Sequence, residues 1–156
     1  MVPDWRPGSE RPLVAGTVAR GHLDADVAFY TGKVGGALVT TLPVPLSLAL
    51  LERGQERFDV FCSPCHDRTG AGNGMVVQRG YRHPPSYHIA RLIQAPIGHF
   101  FDVMTHGFGA MPDYAAQVPP RDRWAIAAYI RALQLSQSAT LADVPPAERQ
   151  RLLGER

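Results

Sequence analysis

The sequence predicts an all-α domain over residues 44–138, preceded by an extended, mostly irregular N-terminal arm, 1–43, and followed by a C-terminal tail, 139–156. Three observations predict it. Apolar residues recur at helical spacing from Leu51 to Phe61 and again from Ile126 to Leu133. Outside the arm no stretch alternates with the period of two that a half-buried strand needs. Fourteen prolines and fifteen glycines fall largely between the periodic stretches, as connections do.

In the arm, prolines 3, 7 and 12 and glycines 8, 16, 21, 32, 35 and 36 interrupt any period. It is expected to wrap a surface rather than form a domain, with one short strand at 37–41. From Pro45 a helix is predicted to run to about Cys62. Leu51, Gly54, Phe58 and Phe61 share one face, Glu52, Arg53, Glu56 and Arg57 lie elsewhere, and Pro64 forbids easy continuation. Ser86 is placed to cap a helix carrying Ile89, Leu92 and Ile93 that stops before Pro96. A further helix, 98–106, carries Phe100, Phe101, Val103 and Met104, with Gly107 as its stop. Pro119 and Pro120 open the last strong helix, on which Ile126, Tyr129, Ile130 and Leu133 form an i, i+3, i+4, i+7 stripe. The tail is expected to add a short amphipathic turn.

Composition narrows the function. At 45% hydrophobic and 19% charged the chain can bury a core, which excludes wholesale disorder. The net charge of +2 comes from fifteen arginines and Lys33 scattered among the acids, so no basic face for nucleic acid is expected. No apolar stretch approaches the ~20 residues of a membrane-spanning helix; "PVPLSLALL" at 43–51 is short and broken by proline. Met1 does not open a secretory leader, so an exported protein would correspond to a processed or truncated form here.

Chemistry concentrates in "FCSPCHDRTGAGNG", 61–74, which holds both cysteines. A disulfide-exchange pair belongs at the start of a helix in a βαβ setting, whereas this pair follows a helix. Zinc needs four donors; His83, His88, His99 and His106 exist, but only Cys62, Cys65 and His66 are clustered. C-x-x-C-H is the attachment signature of c-type haem, in which Cys62 and Cys65 add across the vinyl groups and His66 becomes the proximal ligand. A distal donor is then required. Met111, in the irregular "GAMPDY" and stiffened by Pro112, is the candidate; His106 is its rival, and Met75 and Met104 are read as core packing. Gly54 and Phe58 share a face with Cys62, so a glycine-mediated helix crossing against the Tyr129 stripe is expected. Gly54, Phe58, Trp124 and Tyr129 are assigned to the core.

The order helix, CxxCH, Gly-rich loop, proline, helices, Met-Pro, aromatic C-terminal helix resembles the class I cytochrome c family over about residues 45–136. That resemblance implies one covalent haem c with iron between His66 and Met111. It also implies a proline carbonyl accepting from His66 Nδ1, with Pro85 favoured over Pro84. Arg79, Tyr81 and Arg82 in "QRGYRHPP" are candidates for the haem propionates.

More specifically, "RPLVAGTVARGHL", "AFYTGK", "GNGMVVQRGYRHPPSYH", "GHFFDVMTHGFGAMPDYAAQVPPRDRWAIAAYIRALQLSQ" and "DVPPAER" resemble the monohaem cytochrome c component of bacterial alternative complex III. The likeness spans about residues 10–150. It implies an electron-transfer protein with no catalytic residues, peripheral on the periplasmic side of the bacterial inner membrane. Other subunits of a membrane-bound quinol-oxidising complex would hold it there. Electrons would reach it through iron–sulfur and multihaem subunits and leave toward a terminal haem–copper oxidase or a small redox protein. No nucleic-acid partner and no transmembrane segment of its own are expected. Some such components carry a lipid on a leading cysteine; here both cysteines are committed to haem, so a lipid anchor would require sequence ahead of Met1. The rival readings are a soluble, diffusing monohaem cytochrome serving a dehydrogenase or oxidase, and a zinc-binding module.

Overall fold

A computed structural model describes residues 16–18 and 24–154. Among these, seven α-helices and one small hairpin follow in order. They are α1 (Val27–Thr31), β1 (Lys33–Val34), β2 (Ala37–Leu38), α2 (Leu48–Phe61), α3 (Ser63–His66), α4 (Ala90–Ile93), α5 (Ile97–His106), α6 (Pro120–Ser138) and α7 (Pro146–Gly154). A single turn of 3₁₀ helix, Leu141–Asp143, precedes α7. The fold is all-α, as the periodicity predicts.

The long helices α2 and α6 cross, and the crossing organises the core. Ser47 caps α2 by accepting the Leu50 amide at 3.2 Å. Leu50, Gly54 and Phe58 form the buried face of α2. At Gly54 the backbones nearly touch: a Cβ there would sit 2.1 Å from Ala125 O on α6. Phe58 lies beside it against Tyr129, ring centroids 5.4 Å apart. Leu51 and Phe61, placed on the same stripe by sequence, are only half-buried. Across the crossing, Arg53 donates from Nε (2.9 Å) and Nη2 (2.8 Å) to the two carboxylate oxygens of Asp122 in the first turn of α6.

Residues 24–43 do not behave as a loose arm. Asp26 caps α1 by accepting the Phe29 amide, and the hairpin β1–β2 pairs Lys33 with Leu38. Val39 O accepts the Gly98 amide at the start of α5 (2.9 Å), and Trp124 Nε1 donates to Phe29 O (2.7 Å). Phe29, Val39, Leu42 and Val44 all pack on the main core. A boundary between 43 and 44 therefore cuts through one packed unit, because apolar side chains on both sides of it join the same core. Of the remainder of the arm only residues 16–18 are described, so most of "RPLVAGTVARGHL" lies outside the described residues. The strand expected at 37–41 is two residues long and pairs only with β1.

The helix assigned to Ser86 differs from expectation. It covers only Ala90–Ile93 with Ile89 at its cap position, and Ser86 Oγ accepts the His88 amide instead (3.2 Å). Pro96 ends it after one turn, so only Leu92 is buried while Ile89 and Ile93 stay exposed. Its last carbonyls are satisfied from α6: Arg131 Nη1 donates to Ile93 O (2.8 Å) and Nη2 to Ala95 O. α5 stops at Gly107 as predicted, and the tail helix α7 buries no residue.

Candidate functional site: a cavity between the CxxCH turn and the Met111 hairpin

The CxxCH segment forms at the end of α2. Cys62 donates its amide to Phe58 O (2.8 Å), and the Cys65 and His66 amides both return to Cys62 O (3.1 and 2.9 Å). The result is one tight turn, α3, with Pro64 near its start, where no amide is needed. Both thiols are free, half-buried and on the wall of one cavity, as is the His66 ring.

The glycine loop that follows is laced to this turn through its backbone. Gly72, Gly74 and Val76 donate to His66 O, Cys65 O and Pro64 O at 2.9–3.0 Å. At Gly74 a Cβ would lie 2.3 Å from Pro64 O, so the close approach requires glycine. Asp67, directly behind the motif, gathers the loop's amides. Its carboxylate accepts from Thr69 N and Oγ1 (both 2.6 Å) and Asn73 N (2.9 Å). Burial opposes its charge, but the hydrogen bonds from Thr69, Asn73 and Ala71 outweigh burial and hold its pKa below the usual value. Sequence reasoning passed over Asp67; an Asp before a Thr-Gly pair is the turn signal that would have found it.

Met111 lines the same cavity. Phe108 and Met111 exchange both backbone hydrogen bonds (3.0 Å each) around Gly109 and Ala110, a two-residue hairpin. Tyr114 N then donates to Met104 O (2.8 Å), folding the chain back on α5. The cavity between turn and hairpin measures about 340 Å³ and is walled mainly by apolar side chains, among them Phe61, Leu92, Phe100, Met104, Val118 and Ile126.

The other sequence candidates divide. Tyr81 lines the cavity, but its hydroxyl donates to Ala110 O (3.0 Å), so it straps the Met111 hairpin and has no proton left for a propionate. Arg82 lines the mouth. Arg79 does not; its guanidinium lies 3.5 Å from Met75 O on the exposed loop. Pro84 and Pro85 both line the cavity, yet neither carbonyl meets His66 Nδ1, which is buried without a hydrogen-bond partner. The expected Pro85 bond is thus not made, and Pro84 O is turned to His83 Nδ1 (2.7 Å). Met104 is buried as expected, whereas Met75 is 62% exposed and packs in no core. His106 Nδ1 lies 3.1 Å from both Asp102 O and Asp102 Oδ1, outside the cavity, which removes it as a rival ligand. Two polar candidates were not offered to the haem by the sequence: Arg91 on α4 and His99 on α5 also line the cavity, and burial together with Arg91 lowers the pKa of the His99 imidazole, favouring its neutral form.

Electrostatics separate the possible chemistries. Burial, and secondarily Cys65, pushes the Cys62 thiol up to about 12, the reverse of a disulfide-exchange cysteine. Among the described residues no three His, Cys, Asp or Glu side chains are grouped as a metal site, so zinc lacks donors. Burial lowers the His66 imidazole to about 4, with Asp67 weakly opposing, leaving a neutral ring able to donate a lone pair.

A family model described as "Cytochrome C oxidase, cbb3-type, subunit III" matches residues 49–130, just over half of the chain. The chain belongs to the cytochrome c family. No curated protein matches it. Cytochrome c domains carry haem c covalently and use it for electron transfer, and the residues present fit that group. Two reduced thiols at the attachment spacing share an apolar cavity with a neutral imidazole and a thioether. Cys62 and Cys65 would hold the porphyrin through thioether bonds. His66 and Met111 would supply the donors to the iron, and Arg82, Arg91 and His99, which line the same cavity, would be the candidates for hydrogen-bonding its propionates.

Proposed function

We propose that this cytochrome c carries a single haem with His66 and Met111 as axial ligands. We further propose that it works as the redox component of a membrane-bound quinol:acceptor oxidoreductase of the alternative complex III kind. The observation that carries the ligand set is that Met111 and the CxxCH turn line one apolar cavity. The haem, when bound, supplies a one-electron Fe(III)/Fe(II) couple. His66 contributes a neutral imidazole held by a turn that shares hydrogen bonds with α2 and the glycine loop. Met111 contributes a soft thioether on a strapped hairpin, which favours the reduced state and a high potential. With His66 and Met111 both donating to the iron from hydrogen-bonded backbone, oxidation would require little rearrangement and no position would stay open for a substrate. The chain is accordingly an electron-transfer protein with no bond-making step of its own.

Assembly into the complex is supported by the likeness to the monohaem component of alternative complex III, which continues beyond the family-model match into both flanks. In this reading the chain sits on the periplasmic side of the inner membrane, held by partner subunits. It passes electrons toward a terminal haem–copper oxidase or a small redox protein. A freely diffusing cytochrome is the second reading; no described helix is long and apolar enough to cross a membrane, which either reading accommodates. Detergent solubilisation of native membranes, followed by size separation and haem staining, distinguishes the two. Migration with a large quinol-oxidising complex supports the first; recovery of the chain alone in the aqueous extract supports the second.

A further inference from the structure

An axial imidazole needs its ring plane held, and the common device is a hydrogen bond from its second nitrogen to a carbonyl or carboxylate. His66 Nδ1 has no such bond. What lies against the ring is Tyr87, with ring centroids 4.6 Å apart and planes 13° from parallel. Tyr87 is fixed from several directions. Its amide donates to Gly70 O (2.9 Å) in the glycine loop, and its carbonyl accepts from Gln134 Nε2 (2.8 Å) on α6. Its ring meets Phe58 and Phe100 at 6.2 and 6.0 Å between centroids. Gln134 is itself buried, a costly place for an amide unless both ends are satisfied. Its oxygen accepts from Arg131 Nη1 (2.7 Å), which fixes the direction of the amide and so delivers Nε2 to the Tyr87 carbonyl. Neither residue belongs to the attachment motif, and the electron-transfer reading gives neither a role.

We propose that Tyr87 is a positioning residue of the His66 ring and that Gln134 anchors Tyr87 from α6. This rests on the reading of His66 as an axial ligand. A stacked neighbour resists rotation of the imidazole about its Cβ–Cγ bond while drawing no charge from it. The ring plane is therefore set by packing against Tyr87.

The test uses the oxidised holoprotein and its Tyr87→Leu, Tyr87→Phe and Gln134→Leu variants. The readouts are the hyperfine-shifted haem methyl resonances, which report the orientations of the two ligands, with the shifted Met111 methyl resonance as the control that the thioether has not turned, together with covalent haem content. Tyr87→Leu is expected to reorder the methyl shifts at unchanged haem content, Tyr87→Phe to restore the parent pattern, and Gln134→Leu to move the shifts in the same direction by less. If Tyr87→Leu does not hold haem, Gln134→Leu decides, a moved pattern supporting the proposal and an unmoved one overturning it. A parent pattern in Tyr87→Leu with imidazole resonances still on the iron overturns the role of Tyr87 alone. A parent protein without imidazole resonances overturns the ligand assignment and this inference with it.

Discussion

Replacing Gly54 by alanine tests the helix crossing on which the cavity depends. An added Cβ would lie 2.1 Å from Ala125 O, 2.7 Å from Ala125 C and 2.9 Å from Tyr129 Cβ, against 3.4–4 Å for ordinary contact. The two nearest of these atoms are backbone, so no rotamer change relieves them; α2 and α6 must part by about an ångström. Separations of ~0.5–1 Å already forfeit a quarter to a half of each dispersion contact along an interface. Overpacking of this kind costs about 3 kcal/mol at the upper end of the usual range. Alanine recovers about 1 kcal/mol through its better helix propensity. The net expectation is a loss of about 2 kcal/mol, which lowers the urea midpoint by about 1 M. Urea unfolding of the holoprotein followed by far-UV circular dichroism measures it, with the exposed Glu52→Ala on the same helix as control. A Gly54→Ala midpoint equal to or above that of the parent would refute the reasoning, because propensity would then have outweighed a clash that does not exist. A Gly54→Val variant should lose more, since it adds bulk at the same contact and lacks the propensity gain.

Four further outcomes follow from the geometry. Met111→Ala should retain covalent haem, lose the thioether-to-iron charge-transfer absorption and lower the reduction potential; an unchanged spectrum and potential would exclude Met111 as ligand. His66→Ala should fail to yield assembled holoprotein, and recovery of a low-spin protein with normal haem content would contradict its assignment. Trp124→Phe removes the hydrogen bond to Phe29 O and should destabilise the fold by about 1 kcal/mol, with faster amide exchange across 27–39; exchange unchanged there would mean that this segment is not tied to α6. Asp67→Ala should raise amide exchange at Thr69 and Asn73 while leaving the Cys62–His66 turn protected, and parent-like exchange at both amides would deny Asp67 its loop-gathering role.

The sequence made legible those parts of the molecule whose physics is local. Helical spacing located α2 and α6 to within a few residues, and Gly54 with Phe58 foretold the crossing because a missing side chain beside an aromatic has few other uses in a helix. The cysteine pair with its histidine and the Met-Pro stretch pointed to the site because ligand type and spacing are written along the chain. The rest depends on contacts between distant segments. Arg91 and His99 reach the cavity only through the turn between α4 and α5, and Arg79 misses it because its loop turns outward. Tyr81 is offered to the propionates by its place in "QRGYRHPP", but its bond to Ala110 O exists only once the Met111 hairpin is in place. Residues 24–43 read as an extended, surface-wrapping arm because glycines interrupt every period, yet Phe29 and Val39 each find a place on the core of the domain. The proline carbonyl expected at His66 failed for a related reason: two adjacent prolines can present their carbonyls in several directions, and here Pro84 O faces His83.

The most direct test of the account is whether haem is bonded to Cys62 and Cys65. The purified chain should be denatured, extracted with acidified acetone, and examined by alkaline pyridine haemochrome spectrum and intact mass. The expected result is a haem c spectrum that stays with the polypeptide and a mass increase of one haem per chain, lost when both cysteines are changed to alanine. Pigment that leaves with the solvent, or a chain from a haem-maturation-competent host with no added mass, would contradict it.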